Sequence, residues 1–394
     1  MRSKAFETKK VYITLSLITL IAATLALLIT NGKLFQILFF IDPDDTGMDF
    51  FNSLIETHTR KPYTQFGVLY PPLANLFFYV LQLFVPDSLK ANWPASHGDS
   101  KLIVGTREDV RLLQSTMVLF LLFLAITLFI IAVMIHSYTR SYLLTFCLVF
   151  SAGTLQALER GNVVLISFIL TIYFVKHHQD ENKLASELSL IALAFAFGLK
   201  LYPCVFGLLL LKHKKYAAAG RCILYAILLT ILPTFVFEGP ESVLIWLKNV
   251  LEHGGYSSAT SASAGETVTT FPVHWILAIA LIIILLVVFY AKHNGKRILP
   301  LYNSQILFLI TYLALLITDG AIGYNLIFFL IPFLAFLEEE LKLNRFNCIE
   351  FLVYLICLLP IGINQVTYLF FGLYLIGCVL RIRQKNVEKQ YSPD

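Results

Sequence analysis

The sequence is poor in charged residues. Asp, Glu, Lys and Arg make up 14% of its 394 residues, whereas they make up about 25% of a typical soluble domain. Hydrophobic residues account for 58%, and no polar stretch is long enough to enclose a core of its own. This composition excludes an ordinary soluble protein. It predicts a single all-α membrane domain over residues 1–394.

The sequence also lacks the cysteine spacings of metal and redox sites. None of the six cysteines stands in a CxxC pair or in a Cys/His ligand pattern. All lie in or beside apolar runs, so we interpret them as small core residues: Cys147, Cys204, Cys222, Cys348, Cys357 and Cys378. Since no His/Asp metal spacing is present either, we expect no metal and no cofactor.

Long apolar runs recur along the whole chain, and each is near the ~20 residues that a membrane-spanning helix needs. The first run is too long for a signal peptide, whose apolar core has about 7–15 residues. Twelve spans are predicted, at residues 11–30, 70–86, 113–135, 143–158, 162–175, 186–211, 222–237, 275–291, 301–318, 324–337, 348–362 and 366–380.

The basic residues predict the orientation of these spans. With the N-terminus inside, the inward segments hold 22 Lys and Arg and the outward segments hold 7, which agrees with the positive-inside rule. Both termini of this cell-membrane protein are therefore predicted to be cytoplasmic, and loops 31–69 and 238–274 to face outside. Since the basic residues mark helix ends, the net charge of +5 does not indicate a nucleic-acid partner. A re-entrant arrangement at 159–161 would move Arg160 outside.

The first outer loop, residues 31–69, contains a cluster of carboxylates beside a predicted amphipathic helix. Asp49 and Asn52 share the polar face of that helix. Two interpretations of Asp49 stay open. It is a functional carboxylate, or it completes a capping box with Thr46 at the start of the helix.

The second outer loop, residues 238–274, begins with apolar residues at helical spacing, which predict an interfacial helix ending at Gly254-Gly255. The stretch from Tyr256 to Thr270 is rich in Ser, Thr, Ala and Gly. It is either ordered by a ligand or a plain linker. His274 either binds substrate or belongs with Trp275 to the interfacial belt.

Lys200 is a charged residue deep within a predicted span. A charge in that position is a functional candidate, unless its side chain extends to the membrane surface. Arg160, beside a predicted helix break, is either a ligand for an anion or a topology anchor. A phosphate would accept a two-pronged contact from Arg160 or a point charge from Lys200.

Short motifs in the first half of the chain resemble a known enzyme family. Asp49, Pro62-Tyr63 and Tyr70-Pro71-Pro72-Leu73 occur in an order that resembles the first outer loop of the GT-C superfamily. The resemblance is closest to the polyprenol-phosphate-mannose-dependent α-mannosyltransferases of glycosyltransferase family 87.

Two later segments extend the resemblance, which covers roughly residues 45–216. Arg160-Gly161-Asn162 is similar to the family's Gly-Asn motif, and also to a triplet in the catalytic subunit of glycosylphosphatidylinositol mannosyltransferases. Lys200-Leu201-Tyr202-Pro203 resembles its Lys-x-x-Pro motif, followed by a basic helix end. In the later outer loop, Thr260-Ser261-Ala262-Ser263 stands where many members carry Asn-Gln-Ser.

The resemblance implies a GT-C fold and a glycosyltransferase of cell-envelope glycan biosynthesis. It would move a hexose, mannose above all, from a polyprenyl-phosphate carrier to a hydroxyl of a glycan or glycolipid on the outer face, among membrane lipids and without a cofactor. Asp49 would be the base of an inverting displacement, with Asp45 the second candidate. The expected substrate-binding residues are Asn52, Tyr63, Tyr70, Arg160, Asn162, Lys200 and His274.

Two other functions remain as alternatives. A secondary transporter would show paired interrupted half-helices and several ionisable groups at the membrane midplane, and one such charge is visible. A lipid-linked polysaccharide polymerase or ligase would place arginines in its large outer loop. Loop 238–274 contains one basic residue, Lys248.

Overall fold

A computed structural model describes residues 5–33, 46–90, 114–259, 273–293, 302–317, 322–339 and 345–360. Within these ranges every regular element is a helix, which confirms the all-α prediction. The predicted span at 366–380 lies outside the described residues.

The first half of the described chain contains helices α1 (Ala5–Ile29), α2 (Met48–His58), α3 (Pro62–Phe66), α4 (Pro72–Gln82), α5 (Gln114–Thr139), α6 (Tyr142–Val149), α7 (Ala152–Arg160), α8 (Val164–His177) and α9 (Lys183–Leu199). The second half contains α10 (Leu208–Lys212), α11 (Tyr216–Ile231), α12 (Ser242–Ala259), α13 (Val273–His293), α14 (Asn303–Ile317), α15 (Ile322–Asn325), α16 (Leu330–Glu338) and α17 (Arg345–Leu358). Short 3-10 helices occur at Asp87–Leu89, Tyr202–Gly207, Leu232–Val236 and Leu326–Phe329.

Three of the described helices are long and apolar enough to cross a membrane: Thr8–Ile29, Gln114–Thr139 and Tyr216–Val236. A fourth span exists if α6 and α7, which are bent by 55°, form one broken crossing. Several shorter apolar helices accompany them. The chain is therefore a membrane protein, although the described helices do not by themselves reach the dozen spans that the hydropathy pattern predicts.

The predicted span at 70–86 is wrong as a crossing. Helix α4 is short, with 11 residues or about 16 Å of helix, and the contacts at its end show on which side it stops. Its last residue, Gln82, hydrogen-bonds to His58, and Lys90 also lies close to His58. The segment after α4 therefore lies beside the first outer loop and not on the opposite side.

The predicted span at 186–211 is divided in two at Lys200. Helix α9 ends at Leu199, and Lys200 adopts an extended conformation with φ −146° and ψ 134°. The chain then forms the 3-10 helix with Pro203 in its first turn. Lys200 therefore lies in the short extended segment between the two helices.

Aromatic packing fixes the position of α2. The Phe50 ring contacts Phe78 of α4 at 5.7 Å and Phe120 and Phe123 of α5 at 5.3 and 5.4 Å between centroids. Such pairs each contribute about 0.5–1.5 kcal/mol beyond area burial. Asp49, one residue earlier and about 100° around the helix, lies on a different face of α2 from Phe50.

Candidate active site

Helix α2 begins at a close contact with the end of α7. Gly47 precedes the helix with φ 73°, and its N–H donates to the Glu159 carbonyl oxygen at 2.9 Å. A Cβ at Gly47 would lie 2.8 Å from the Phe51 ring, so only glycine fits there without a shift. No side chain caps this helix. The capping-box interpretation of Thr46 and Asp49 is therefore wrong.

Two residues from the end of α7 hold the Asp49 carboxylate. Arg160 donates from Nε to Oδ2 and from a terminal nitrogen to Oδ1, both at 2.9 Å. Asn162 Nδ2 donates to Oδ2 at 2.6 Å. The left-handed conformation of Gly161, φ 62°, turns the chain between them. Arg160 thus lies at the same end of the molecule as Asp49, so the predictions that loop 31–69 faces outside and that 159–161 faces inside cannot both hold.

The three contacts leave part of the hydrogen-bonding capacity of the Asp49 carboxylate unused. An ionised carboxylate offers about four lone-pair positions, and Arg160 and Asn162 occupy three of them. The Asp49 and Arg160 side chains are 17% and 28% exposed, so their ion pair is only partly screened by solvent. Asp49 can accept about one further hydrogen bond from a hydroxyl in the cavity.

Lys200 lies on the other side of this cavity. Its Nζ is 4.2 Å from the centroid of the Tyr70 ring and 5.2 Å from that of Tyr324. The residue is buried at 9% exposure, so its side chain is enclosed by protein. No carboxylate among the described residues lies within ion-pair distance of its Nζ. The ammonium is held by aromatic faces.

Tyr70 connects the two charged ends of the site. Its hydroxyl accepts a hydrogen bond from Asn162 Nδ2 at 3.2 Å, while its ring faces Lys200. The amide oxygen of Asn162 accepts from the Val164 N–H at 2.9 Å, which fixes the orientation of the amide. Asn162 and Tyr70 therefore set the spacing between Asp49 and Lys200.

These side chains surround a cavity of about 420 Å³ with both polar and apolar walls, which we call the polar cavity. Four predicted residues line it: Asp49, Asn52, Tyr70 and Lys200. Ser53 and Glu56, on the polar face of α2 predicted for Asp49 and Asn52, line it as well. Two further polar lining residues, Tyr202 and Tyr324, were not predicted as site residues. The signal for Tyr324 was the polar interruption Gly323-Tyr324-Asn325 within an apolar run, where Asn325 accepts a hydrogen bond from the Tyr202 hydroxyl.

Tyr63 supports the polar cavity and does not line it. Its hydroxyl accepts from Asn75 Nδ2 at 2.9 Å and donates to the Tyr70 carbonyl oxygen at 3.3 Å. Burial raises the pKa of Tyr63 well above its ordinary value, so the hydroxyl remains a donor at neutral pH. Tyr63 thereby helps to hold Tyr70 in place.

The two outer loops contact each other directly. Glu238 accepts hydrogen bonds from the backbone N–H of Tyr63 at 3.3 Å and of Thr64 at 3.2 Å. Helix α12 adds bonds from Asn249 Nδ2 to the Tyr63 carbonyl at 3.1 Å and from Trp246 Nε1 to the Leu69 carbonyl at 3.0 Å. The two loops therefore form one wall of the site.

Other predictions for these loops have mixed outcomes. A helix is present where one was predicted, but α12 runs to Ala259, so the prediction that Gly254-Gly255 ends it is wrong, and its interfacial position stays a prediction. Glycine disfavours a helix interior by about 1 kcal/mol without forbidding it. Asp45 and the side chain of His274 lie outside the described residues. Among the residues described, no group of three or more His, Cys, Asp and Glu is suited to a metal, and metal independence stays a prediction.

Comparison with known sequences gives one match. A family model described as Glycosyltransferase family 87 matches residues 68–318. The matched range includes Tyr70, Arg160, Asn162 and Lys200, and it begins after Asp49. Neither the curated proteins nor the solved structures compared with the chain gave a match.

Proposed function

Because the chain belongs to glycosyltransferase family 87 and is a membrane glycosyltransferase, we propose that it transfers a hexose from a polyprenyl phosphate to a hydroxyl of a glycan or glycolipid. The family resemblance favours mannose as the hexose. The observation that carries the proposal is that Asp49 and Lys200, a carboxylate and a cation, line the same cavity. A transfer from a phosphate carrier needs a base for the acceptor and a cation for the leaving group.

Asp49 is the proposed base. The acceptor hydroxyl donates to the lone pair that Arg160 and Asn162 leave free, and the two donors keep the carboxylate in one orientation. A base placed within hydrogen-bond reach typically contributes a factor of about 10²–10⁴ to the rate. Arg160, which we predicted to bind the carrier phosphate, here positions Asp49.

Lys200 is the proposed partner of the carrier phosphate. Its ammonium faces aromatic rings and the cavity. A phosphate placed there stabilises it as a counter-ion, and the ammonium in turn stabilises the negative charge that develops on the leaving group. A monophosphate leaving group can be stabilised in this way without a metal.

The proposed reaction is a single displacement with inversion. The acceptor oxygen forms a bond to the anomeric carbon of the hexose while its proton moves to Asp49. The bond from that carbon to the phosphate oxygen breaks, and its electron pair leaves with the polyprenyl phosphate. The proton on Asp49 then passes to solvent.

We place this site on the outer face of the cell membrane. Both outer loops lie on one side, because Glu238 binds the backbone of Tyr63 and Thr64. The revised arrangement has one crossing fewer at 70–86 and one crossing more where 186–211 is divided at Lys200. The number of crossings between the two outer loops is therefore unchanged. The basic segment 212–221 and both termini accordingly stay cytoplasmic.

Sugar transfer by purified protein in lipid nanodiscs tests the proposal. The protein is given polyprenyl-phosphate-mannose or polyprenyl-phosphate-glucose, with a membrane lipid extract as acceptor. We expect transfer from one donor and a ~10²–10⁴-fold lower rate for Asp49→Asn. Glu241→Gln, which removes an exposed carboxylate outside the polar cavity, should retain the full rate.

Each result has a separate meaning. Transfer at the wild-type rate by Asp49→Asn would exclude Asp49 as the base. A wild-type protein inactive with both donors would refute the proposed donor class. A thermal melt of each variant separates lost chemistry from lost folding.

A further inference from the structure

Tyr324 lines the polar cavity, although it stands outside the part of the chain that matches the family model. It belongs to α15, a helix of four residues that packs against α7. The next residue, Asn325, is buried and accepts a hydrogen bond from the Tyr202 hydroxyl. A Cβ on Gly153 of α7 would lie 2.6 Å from the Leu326 carbonyl carbon. This close packing holds Tyr324 against the helix whose last turn holds the proposed base.

The Tyr324 side chain extends from the proposed phosphate partner towards the proposed base. Its ring centroid is 5.2 Å from Lys200 Nζ, and its hydroxyl lies near the side chains of Asn162 and Asp49. In the proposed displacement, the anomeric carbon lies between the phosphate at Lys200 and the acceptor hydroxyl at Asp49. A sugar in that position lies beside the Tyr324 hydroxyl.

The Tyr324 hydroxyl keeps hydrogen-bonding capacity for a ligand. Asn162 donates its two amide hydrogens to Asp49 and to the Tyr70 hydroxyl, and its amide oxygen accepts from the Val164 N–H. Towards Asn162, Tyr324 can therefore act only as a donor, to the second lone pair of that oxygen. Within the described part of the chain, both lone pairs of the Tyr324 oxygen remain open to a hydroxyl in the cavity.

The position of Tyr324 selects one hydroxyl of the sugar. The C2 hydroxyl of a hexose is carried by the carbon next to the anomeric carbon, whereas the hydroxyls at C3, C4 and C6 lie farther along the ring. Mannose and glucose differ only in the orientation of the C2 hydroxyl. A site that hydrogen-bonds a substrate hydroxyl discriminates strongly against a substrate that cannot make the bond.

We propose that the Tyr324 oxygen accepts a hydrogen bond from the C2 hydroxyl of the transferred hexose and so helps to decide which of the two C2 epimers is transferred. This inference rests on the proposed function, because it takes the reacting atoms to lie between Lys200 and Asp49. Tyr324 determines specificity and takes no part in the proton transfer.

Deoxy-sugar donors test the contact. Tyr324→Phe removes the hydroxyl and keeps the ring beside Lys200. In lipid nanodiscs, kcat/KM is measured for the accepted polyprenyl-phosphate-hexose and for its 2-deoxy and 4-deoxy analogues. We expect Tyr324→Phe to lower kcat/KM roughly tenfold for the accepted and 4-deoxy donors and to leave the 2-deoxy donor unchanged. Each donor is compared between variant and wild type, so differences in its intrinsic reactivity cancel.

The pattern over the three donors decides the outcome. An equal loss with all three would mean that Tyr324 acts elsewhere than on the C2 hydroxyl, and no loss with any would mean that it does not contact the sugar. A loss that disappears with the 4-deoxy donor instead would place the contact at C4. Each of these results would overturn the proposal. A wild-type protein inactive with both hexose donors would refute the proposed function as well, so the two failures are distinguishable.

A matched control and a competition experiment complete the test. Tyr290→Phe removes a hydroxyl at a side chain that is 71% exposed on α13, outside the polar cavity, and should leave every kcat/KM unchanged. Thermal melts of both variants separate lost contacts from lost folding. With mannosyl and glucosyl donors in one reaction, Tyr324→Phe should narrow the preference for the accepted epimer roughly tenfold. A preference that the variant keeps in full would contradict the proposal.

Discussion

Arg160 and Lys200 carry two positive charges near Asp49, and they have different partners. Arg160 makes a two-pronged contact with the carboxylate, whereas Lys200 faces the Tyr70 and Tyr324 rings. Equal charge therefore does not imply an equal role. Arginine suits the planar carboxylate, and lysine suits a phosphate that arrives and leaves.

We predict that Arg160→Lys and Lys200→Met affect different kinetic constants. Arg160→Lys keeps the charge but loses the two-pronged geometry, so kcat should fall roughly 10- to 100-fold with little change in the donor KM. Lys200→Met removes the proposed phosphate contact and should raise the donor KM by a similar factor. Steady-state kinetics over donor concentration measures both. An unchanged donor KM in Lys200→Met would remove the residue from the donor site.

His178, at the end of α8, provides a pH-dependent contribution to stability. Burial is the main cause that lowers its pKa from 6.5 to about 4, with Lys215 and Lys212 acting in the same direction. Between pH 4 and 6.5, His178 therefore binds a proton more often in the unfolded chain than in the folded chain. The contribution is therefore fully present above pH 6.5 and is lost as the pH falls toward 4.

We predict that the free energy of unfolding falls by roughly 3 kcal/mol between pH 6.5 and 4 because of His178. Denaturant or thermal unfolding of the nanodisc-embedded protein over this range measures the slope. His178→Asn cannot titrate and should show a flatter pH dependence. An equal slope in the variant would assign the effect to other groups.

At the scale of secondary structure, the turn between α7 and α8 builds the site. Gly161 has φ 62°, and a Cβ there would lie 2.6 Å from the Phe120 ring and 2.8 Å from Phe50 Cβ. The turn therefore packs tightly against the aromatic cluster that positions α2. This packing brings Arg160 and Asn162 to Asp49.

We predict that Gly161→Ala destabilises the protein by roughly 1–3 kcal/mol from backbone strain, and by about 1–3 kcal/mol more from overpacking. Gly32→Ala is the matched control, because Gly32 has φ 82° with no atom within 4 Å of a built Cβ. Gly32→Ala should therefore lose only the part of the stability that backbone strain costs. Thermal melts compare the two, and equal losses would mean that the contact with Phe120 and Phe50 is not tight.

At the scale of the whole molecule, contacts between distant segments revise the predicted topology. Lys176, predicted to face outside, interacts electrostatically with Glu338 and, through it, lies near Lys9, both predicted inside. In the revised arrangement that we propose, residues 176–185 therefore lie on the same side of the membrane as Lys9 and Glu338. The hydropathy pattern located the helices, but it put Lys176 and Glu338 on opposite sides of the membrane, and removing the crossing at 70–86 would place them on the same side.

We predict that cysteines introduced at Asn52 and Glu181 are labelled from opposite sides of the membrane. In cells, an impermeant maleimide should modify Asn52→Cys, and it should modify Glu181→Cys only after the membrane is opened. The original hydropathy topology places both outside. Labelling of both in intact cells would restore that topology and contradict the revised one.

The sequence by itself determined the membrane class, the all-α fold, the family and much of the candidate site. Composition and apolar run length are properties of local segments, so they can be read from the sequence without knowing which segments touch. Asp49, Tyr70, Asn162 and Lys200 were identifiable because their short motifs lie within one part of the chain. These four residues do meet around or beside the polar cavity.

Only the tertiary structure decided the roles of the charged residues. Arg160 and Asp49 are 111 positions apart in the chain, and their pairing depends on how α2 and α7 pack. The division at Lys200, the short α4 and the contribution of Tyr324 likewise follow from packing between distant helices. Hydropathy measures how well a segment tolerates lipid, and it carries no information about which segments touch.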